Sequence, residues 1–287
     1  MDRFYVVTNR ERDKRWFYTN KVRRYLESKG KICVTQKTKS KDAEPVPIPA
    51  DTECIIILGG DGTMLQTARE CYMMQIPLIG INIGTLGYLA DIDKSGIYPA
   101  LDKLINNDFV IEHRMMLYGK VIKNGKIIVK DIAVNEVSIG REGHRNLVTL
   151  ENCVDDIVLN RYRADGVIVS SPTGSTGYSL SAGGPIISPE AELFLLTPLS
   201  PQSMINRSIV LPASCEIKVK LLEDKDGKSA CANAVFDGDT RVDIESGDEV
   251  IIKRSNKDML IAKISDSTFL DVLYQKMNPI NITEVFQ

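Results

Sequence analysis

Five consecutive residues, Gly59-Gly60-Asp61-Gly62-Thr63, have the composition of a loop that binds phosphate. Its glycines let the backbone approach an oligophosphate closely and direct N–H groups at it. Asp61 adds a carboxylate that is able to accept a proton from an attacking hydroxyl or to hold a metal. A plain Asp-Gly turn, with Asp61 as a helix cap, is the alternative. The preceding apolar run, residues 54–58, favours phosphate binding, because open α/β sheets bind ligands at the carboxyl ends of their strands.

Two further segments have side chains suited to a nucleotide. Asn135-Glu136 combines an amide and a carboxylate, which suit a ribose diol and a base edge, although a surface turn would also explain the pair. Residues 163–185 are crowded with glycine and hydroxyl side chains and include one aromatic ring, Tyr178. Such a run offers the donors and the ring that line a nucleoside site. A flexible linker is the alternative, and the apolar run Val167-Ile168-Val169 argues against it.

The short segment Phe236-Asp237-Gly238-Asp239 is compatible with a β-turn between strands. Its two acids also allow a metal or ligand contact, and the turn is favoured on local grounds. Neither His113 nor His144 forms a recognisable catalytic arrangement with a carboxylate or a nucleophile in the sequence.

The strands and helices that carry these residues can be predicted from the hydrophobic pattern. The first part of the chain alternates strands and helices, as in a doubly wound, Rossmann-like α/β domain. From about Met116 onwards, short alternating strands predominate and indicate a β-rich second domain. We predict strands at residues 4–9, 32–35, 54–58, 77–82, 117–122, 126–134, 147–154, 166–170, 216–221, 248–254 and 280–286, and helices at 14–29, 63–74 and 267–275.

The composition is ordinary for a globular protein, with 43% hydrophobic and 26% charged residues and a net charge of −2. This small charge argues against a nucleic-acid partner. The six cysteines include no Cys-x-x-Cys pair, and the chain has only two histidines, so we expect a reduced cytoplasmic protein without a zinc site. A charged N-terminus and the lack of an apolar run near the roughly 20 residues that span a bilayer argue against a membrane partner.

The motifs resemble those of the NAD kinase family. Residues 59–63, Asn135-Glu136 and residues 165–185 occur in the order and approximate spacing of that family, and the similarity extends over most of the chain. The first motif is shared with diacylglycerol-type lipid kinases and phosphofructokinases. The segment 173–185 is strongly specific. One departure is Gly177, where the family usually has alanine, and we expect slightly looser packing there.

The resemblance implies roles for individual residues. Asp61 becomes the proton acceptor, with Gly62 as its partner in the phosphate loop formed with Gly59, Gly60 and Thr63. It also implies that Asp165 binds the nicotinamide half of NAD and that Arg163 lies nearby. The other nucleotide-binding residues that it implies are Asn135, Glu136, Thr173, Thr176, Gly177, Tyr178, Ser179, Leu180 and Ser181, with Asn146 and Asp239 aligned less surely.

The resemblance also implies an architecture and an activity. An α/β domain at residues 1–115 and a β-rich domain at 116–270 would enclose the active site in a crevice, and residues 271–287 would return to the first domain. The substrates would be ATP and NAD, with Mg²⁺ carried by ATP and no dedicated metal site, and the chain would form a homo-oligomer, a tetramer or dimer. A soluble lipid kinase and a dinucleotide sensor without turnover are the competing hypotheses.

Overall fold

The computed structural model describes residues 1–36, 47–84, 87–90, 92–143, 146–203, 206–224 and 226–278. The chain divides into two compact units. Unit 1 comprises Met1–His113 together with the chain from Met259 onwards, and unit 2 comprises Arg114–Asp258. The first division lies beside the boundary that we predicted at residue 115.

Unit 1 is built on a sheet of seven strands in the order β2-β1-β3-β4-β19-β6, with β5 paired to β4. Where they pair, β1, β2, β3, β4, β5 and β19 run parallel. The first elements along the chain are β1 (Arg3–Thr8), α1 (Phe17–Ser28), β2 (Ile32–Thr35), β3 (Cys54–Gly59), α2 (Asp61–Cys71), β4 (Leu78–Asn82), β5 (Ile92–Asp93), α3 (Ile97–Ile105) and β6 (Val110–Arg114).

The buried strands of unit 1 explain why its sequence shows continuous apolar runs rather than alternation. Every residue of β3 and of β4 is buried, as expected for central strands of a parallel sheet covered on both faces. Helix α3 buries Ile97, Ala100, Leu101 and Leu104. This i, i+3, i+4, i+7 spacing places one apolar stripe against the core.

Helix α1 is shorter than the predicted helix at residues 14–29. Lys14–Trp16 forms a separate 3₁₀ turn, and Arg15 and Trp16 have φ values of 60° and 59°. This left-handed backbone interrupts helical hydrogen bonding, so α1 begins only at Phe17. The apolar spacing of a helix does not reveal such a break.

Unit 2 is a sandwich of two six-stranded antiparallel sheets, in the orders β11-β10-β15-β18-β7-β8 and β14-β13-β12-β9-β16-β17. Its elements are β7 (Leu117–Lys123), β8 (Lys126–Ala133), β9 (Glu136–Arg141), β10 (Val148–Val154), β11 (Ile157–Ala164), β12 (Gly166–Ser170), α4 (Tyr178–Ser181), β13 (Leu193–Leu199), β14 (Ile209–Pro212), β15 (Ile217–Leu222), β16 (Cys231–Phe236), β17 (Thr240–Glu245) and β18 (Glu249–Arg254). Buried side chains of both sheets, among them Val121, Val219, Val167 and Phe236, form one apolar cluster.

The chain then returns to unit 1 earlier than expected. Strand β19 (Met259–Lys263) pairs parallel with β4, and α5 (Phe269–Met277) follows it. We predicted that the β-rich domain would extend to residue 270, so the second division differs by about a dozen residues. A five-residue apolar strand fits either sheet, and only its pairing partner decides between them. The predicted strand at 280–286 lies outside the described residues.

No helix in the described part of the chain is both long enough and apolar enough to span a membrane.

Candidate active site

The loop that we predicted to bind phosphate joins β3 to α2 at the carboxyl end of a central strand. Gly60 is the N-cap residue of α2 in an extended conformation, and Asp61 is the first residue of the helix. Asp61 therefore does not cap the helix, which was the alternative explanation of the Asp-Gly pair. Gly59 is buried, and a Cβ there would lie 2.5 Å from Thr63 Oγ1. The first turn of α2 thus packs directly on the end of β3.

The carboxylate of Asp61 is held by the segment that follows β4. Its Oδ2 accepts a hydrogen bond from the N–H of Tyr88 at 2.7 Å, and its Oδ1 accepts from Leu89 at 3.1 Å and Ala90 at 3.3 Å. A Cβ at Gly87 would lie 1.8 Å from Asp61 Oδ1. Glycine at this position therefore allows the backbone to approach the carboxylate closely, and three N–H donors fix its orientation.

Two basic side chains and this loop line the same pocket, which has a volume of about 460 Å³. A Cβ at Gly84 would lie 2.3 Å, and one at Gly60 3.0 Å, from Arg12 Nη1, so the guanidinium lies against both glycines. The ammonium of Lys276, in α5, lies 4.5 Å from the ring centroid of Tyr88. The described lining consists of Asn9, Arg12, Gly60, Asp61, Gly62, Thr63, Gln66, Gly87 and Lys276.

This pocket has the chemistry of a phosphate site. Arg12 and Lys276 offer positive charge, and the first N–H groups of α2, those of Asp61 and Gly62, have no acceptor within the helix. Among the described residues that line the pocket, Asp61 alone has a carboxylate. One carboxylate among cationic groups and N–H donors is suited to bind phosphates and to accept a proton from a hydroxyl that attacks them.

In unit 2, Asn135 lies between β8 and β9, Glu136 is the first residue of β9, and both are held from two sides. The carboxylate of Asp237 accepts hydrogen bonds from the N–H groups of Val134 at 2.7 Å, Asn135 at 2.8 Å and Glu136 at 3.0 Å. From the other side, the N–H of Ser171 donates to the carbonyl of Asn135 at 2.8 Å. The loop that carries the amide and the carboxylate is therefore rigidly positioned.

The side chain of Glu136 is largely buried. Burial, and then the negative charge of Asp237, raise the pKa of this carboxyl to about 7, although the backbone N–H of Tyr178 lowers it in part. Its Oε2 is buried and has no hydrogen-bond partner among the described residues. A buried oxygen without a partner is costly, so this atom is available to accept a hydrogen bond from a ligand.

Gly177 lies beside these two side chains. A Cβ there would be 3.4 Å from Glu136 Oε2 and 3.5 Å from Asn135 Nδ2. These two distances are ordinary van der Waals contacts, but the same Cβ would lie 3.3 Å from the carbonyl oxygen of Gly174, which is tight. The φ of Gly177 is −95°, so the alanine usual in the resembling family needs only a small shift of Gly174 to be accommodated.

A second pocket, of about 300 Å³, lies on the sheet that contains β9 and β12. It brings together two of the predicted residues, Asp165 and Tyr178, and adds Arg141, whose Nε forms an ion pair of 2.5 Å with Asp165 Oδ1. Tyr178 is 47% exposed, so its ring has an open face. The pocket offers a planar ring and an acid whose charge is balanced by a neighbouring cation.

The remaining predicted residues do not line either pocket. Ser179 is fully buried and its hydroxyl contacts that of Thr197 at 3.1 Å, while Thr176 donates to the carbonyl of Thr173 at 3.3 Å. Thr173 is buried, and its Oγ1 has no partner among the described residues. The hydrogen bonds of Ser179 and Thr176 stabilise the segment after β12, because they supply these hydroxyls with internal partners. Leu180, Ser181, Asn146 and Asp239 are exposed, and Arg163, in β11, donates to Gln202 at 3.4 Å.

Sequence reasoning missed Arg12, Lys276, Arg141 and Asp237. Arg12 follows the carboxyl end of β1, a position where parallel sheets bind ligands, so this signal was present in the sequence. Asp237 belongs to the predicted turn between β16 and β17, which the structure confirms, with φ values of 47° at Asp237 and 74° at Gly238. Nothing in the local sequence indicates that its side chain reaches residues more than a hundred positions earlier.

Two family models match most of the chain. Residues 34–109 match the family model of the ATP-NAD kinase N-terminal domain, and residues 134–264 match that of the ATP-NAD kinase C-terminal domain. A protein named NAD kinase from Lachnospira eligens is 40% identical over 96% of this chain and 100% of its own length. One of the same name from Agathobacter rectalis is 37% identical over 96% and 99%.

Solved structures share the fold. Yeast NADH kinase, complexed with NADH, superimposes with a TM-score of 0.83 at 23% identity, covering 98% of this chain and 88% of that one. An NAD kinase from Archaeoglobus fulgidus in complex with ATP gives 0.77 at 24% identity, covering 97% and 100%. From the two matched domains and the near full-length relatives, it follows that this chain belongs to the ATP-NAD kinase family.

Proposed function

We propose that this protein is an NAD kinase, which transfers the γ-phosphate of ATP to the 2′-hydroxyl of the adenosine ribose of NAD and gives NADP and ADP. The observation that carries the proposal is the pocket at the start of α2, where a glycine loop, Arg12 and Lys276 surround the carboxylate of Asp61. Phosphoryl transfer requires mainly positioning and charge stabilisation, and this set of groups supplies both.

The two units bind different parts of the substrates. In unit 1, the N–H groups of the loop, Arg12 and Lys276 bind the phosphates, and Asp61 accepts the proton of the attacking hydroxyl. In unit 2, Asn135 and Glu136 bind the ribose, and Tyr178 stacks on a ring of the dinucleotide. Asp165, held by Arg141, binds the nicotinamide half. The crevice between the domains, implied by the resemblance, stays a prediction.

Mg²⁺ would reach this site on ATP. Among the described residues, no group of three or more His, Cys, Asp or Glu side chains is arranged to hold a metal. A nucleotide-borne Mg²⁺ keeps several waters and needs few protein ligands, and Asp61 with the hydroxyl of Thr63 fits that limited role. When bound, the ion would neutralise charge on the phosphates.

The test is direct. Purified protein is incubated with Mg²⁺, ATP and NAD, and NADP is detected with a dehydrogenase that accepts only NADP. A parallel reaction offers diacylglycerol in place of NAD. NADP that forms only with ATP supports the proposal. Lipid phosphorylation would instead identify a lipid kinase, and NADP binding without ATP consumption would identify a sensor.

Arg12 provides a first quantitative prediction. Replacing Arg12 with Met removes the guanidinium beside Gly60 and Gly84, and its backbone hydrogen bond to Asn9 is retained. We expect the KM for ATP to rise about tenfold, because one charge-assisted contact to phosphate is lost. A tenfold change corresponds to roughly 1.4 kcal/mol of binding free energy. The KM for NAD should stay within about twofold. Lys94→Met, an exposed charge removed elsewhere in unit 1, is the matched control. An unchanged KM for ATP in Arg12→Met would contradict the role of the guanidinium.

Glu136 makes a prediction about pH. Its pKa in the folded protein, about 7, exceeds the ordinary value of 4.5, so the folded state holds the proton more tightly. The free energy of unfolding should therefore fall as pH rises from about 4.5 to 7, by about 3 kcal/mol at most. Glu136→Gln should lack this fall, as measured by urea denaturation at several pH values. In parallel, the KM for NAD should decrease as the carboxyl ionises near pH 7, because the ionised form accepts hydroxyl hydrogen bonds. A wild-type stability curve that matches Glu136→Gln over this window would refute the raised pKa.

Two further properties are proposed on the resemblance alone. We infer a cytoplasmic location and assembly into a homo-oligomer, a tetramer or dimer. Sedimentation velocity of the purified protein tests the second, and a monomer at micromolar concentration would exclude it.

A further inference from the structure

Unit 1 contains a pocket that the proposed reaction does not use. It lies along α1 and α3 and has a volume of about 710 Å³, larger than the phosphate-loop pocket. It is lined by Lys14, Arg15, Phe17, Asn20, Lys21, Arg24, Tyr25, Ser28 and Tyr98. None of these residues lines the phosphate-loop pocket. We call it the α1 pocket.

The α1 pocket is strongly cationic. Lys14, Arg15, Lys21 and Arg24 line it, and its described lining contains no carboxylate. Within the described structure, none of these four side chains forms an ion pair, whereas Arg23 and Lys29 of the same region lie within 4 Å of Glu27 and Asp102. Residues 10–31 contain nine basic and three acidic residues in a chain whose net charge is −2. The positive charge is therefore concentrated at this pocket.

The same pocket has exposed aromatic walls. The rings of Tyr25 and Tyr98 are 4.6 Å apart between centroids, and Tyr25 donates from its hydroxyl to Asp102, so this pair is held in place. Tyr98 remains 40% exposed and Phe17 64% exposed. The ammonium of Lys21 lies 4.5 Å from the centroid of the Tyr98 ring, so a cation and an aromatic wall already meet inside the pocket. Arg15 adopts φ 60°, a backbone conformation that a non-glycine residue rarely takes.

We propose that the α1 pocket is a binding site for a small ligand that combines a planar ring with phosphate, of the mononucleotide class. Guanidinium groups bind phosphate through paired donors, and the exposed ring of Phe17 offers a face on which a base stacks. The volume lies within the range of small-molecule pockets. The four cations line one pocket, and the net charge of −2 on the chain favours a small anion over a nucleic acid as its ligand.

The single tryptophan of the chain provides a local probe, because Trp16 lies between two lining residues, Arg15 and Phe17. The experiment titrates AMP, adenosine and inorganic phosphate separately into the full chain and follows Trp16 fluorescence. In parallel, equilibrium dialysis with labelled AMP counts the molecules bound per chain. We expect saturable binding of AMP, with adenosine and phosphate each at least tenfold weaker, since each offers only half of the recognised chemistry.

The variant K21E/R24E reverses two charges in the pocket and should bind one AMP fewer per chain and lose the fluorescence response. K126E/K130E, with two exposed lysines of β8 reversed, should behave as wild type. K21E/R24E should keep its NADP-forming activity, which also shows that it folds. The proposal is overturned if K21E/R24E binds as many AMP molecules as wild type, or if inorganic phosphate binds as tightly as AMP.

Discussion

Asp61→Asn should reduce the turnover of NADP formation by about 10²–10⁴-fold, the usual contribution of a general base. The amide cannot take the proton of the attacking hydroxyl. It also places an NH₂ group where one of the N–H donors of Tyr88, Leu89 or Ala90 now points. Steady-state kinetics at saturating ATP and NAD measures the first effect, and urea denaturation measures the second.

The two effects must be separated, because a carboxylate that accepts three N–H groups also stabilises its loop. Asp93→Asn is the matched control. Asp93 accepts hydrogen bonds from the N–H groups of Ser95 and Gly96 in unit 1, and it does not line the phosphate-loop pocket. We expect Asp93→Asn to keep turnover within about twofold. If Asp61→Asn retains near-normal turnover at saturating substrates, Asp61 is not the base and serves binding or loop structure only.

The second large effect is expected for Asp237→Ala. This change leaves the N–H groups of Val134, Asn135 and Glu136 without their acceptor. Hydrogen bonds to a charged group contribute roughly 1.5–3 kcal/mol each and are not additive, so we expect the free energy of unfolding to fall by about 3 kcal/mol or more. Because the loop positions the proposed ribose ligands, the KM for NAD should rise as well, and the KM for ATP should change little.

Asp224→Ala and Asp237→Asn make this prediction specific. Asp224 accepts hydrogen bonds from the N–H groups of Asp226 and Lys228 at the surface, so its loss should lower the free energy of unfolding much less than the loss of Asp237 does. Asp237→Asn retains one acceptor oxygen and should recover part of the lost stability. It should also lower the pKa of Glu136, because the charge of Asp237 raises it. Equal denaturation midpoints for Asp237→Ala and Asp224→Ala would show that Asp237 does not support the loop.

The strands with a clear local hydrophobic pattern were predicted well. The buried run of β3, the strand at 32–35 and β12 at 166–170 lie at or within one residue of their predicted bounds. Continuous apolar runs between turn residues leave little freedom in where a strand begins and ends. The kink at Arg15 and Trp16 and the return of β19 to unit 1 were not predicted. Both depend on neighbours that are distant in the sequence.

The residues of the candidate site also fall into a group that local sequence predicted and a group that it did not. The glycine loop and Asp61 were predicted because their chemistry is contained in five adjacent residues. Lys276 lines the same pocket from α5, although it follows Asp61 by more than two hundred residues. Ser179 belonged to a predicted binding segment but is fully buried, because its hydroxyl meets Thr197 of a neighbouring strand.

Residue types and their local spacing were enough to predict the alternation of elements, the position of the phosphate loop at the end of β3 and the resemblance that proved to be the family of the chain. These properties are contained in short stretches of adjacent residues. The folded structure was needed to show that the N–H groups of residues 88–90 orient Asp61, that Asp237 supports Asn135 and Glu136, and that four cations line the α1 pocket. Such contacts join residues that are far apart along the chain, and strand order and helix packing, rather than spacing, bring them together.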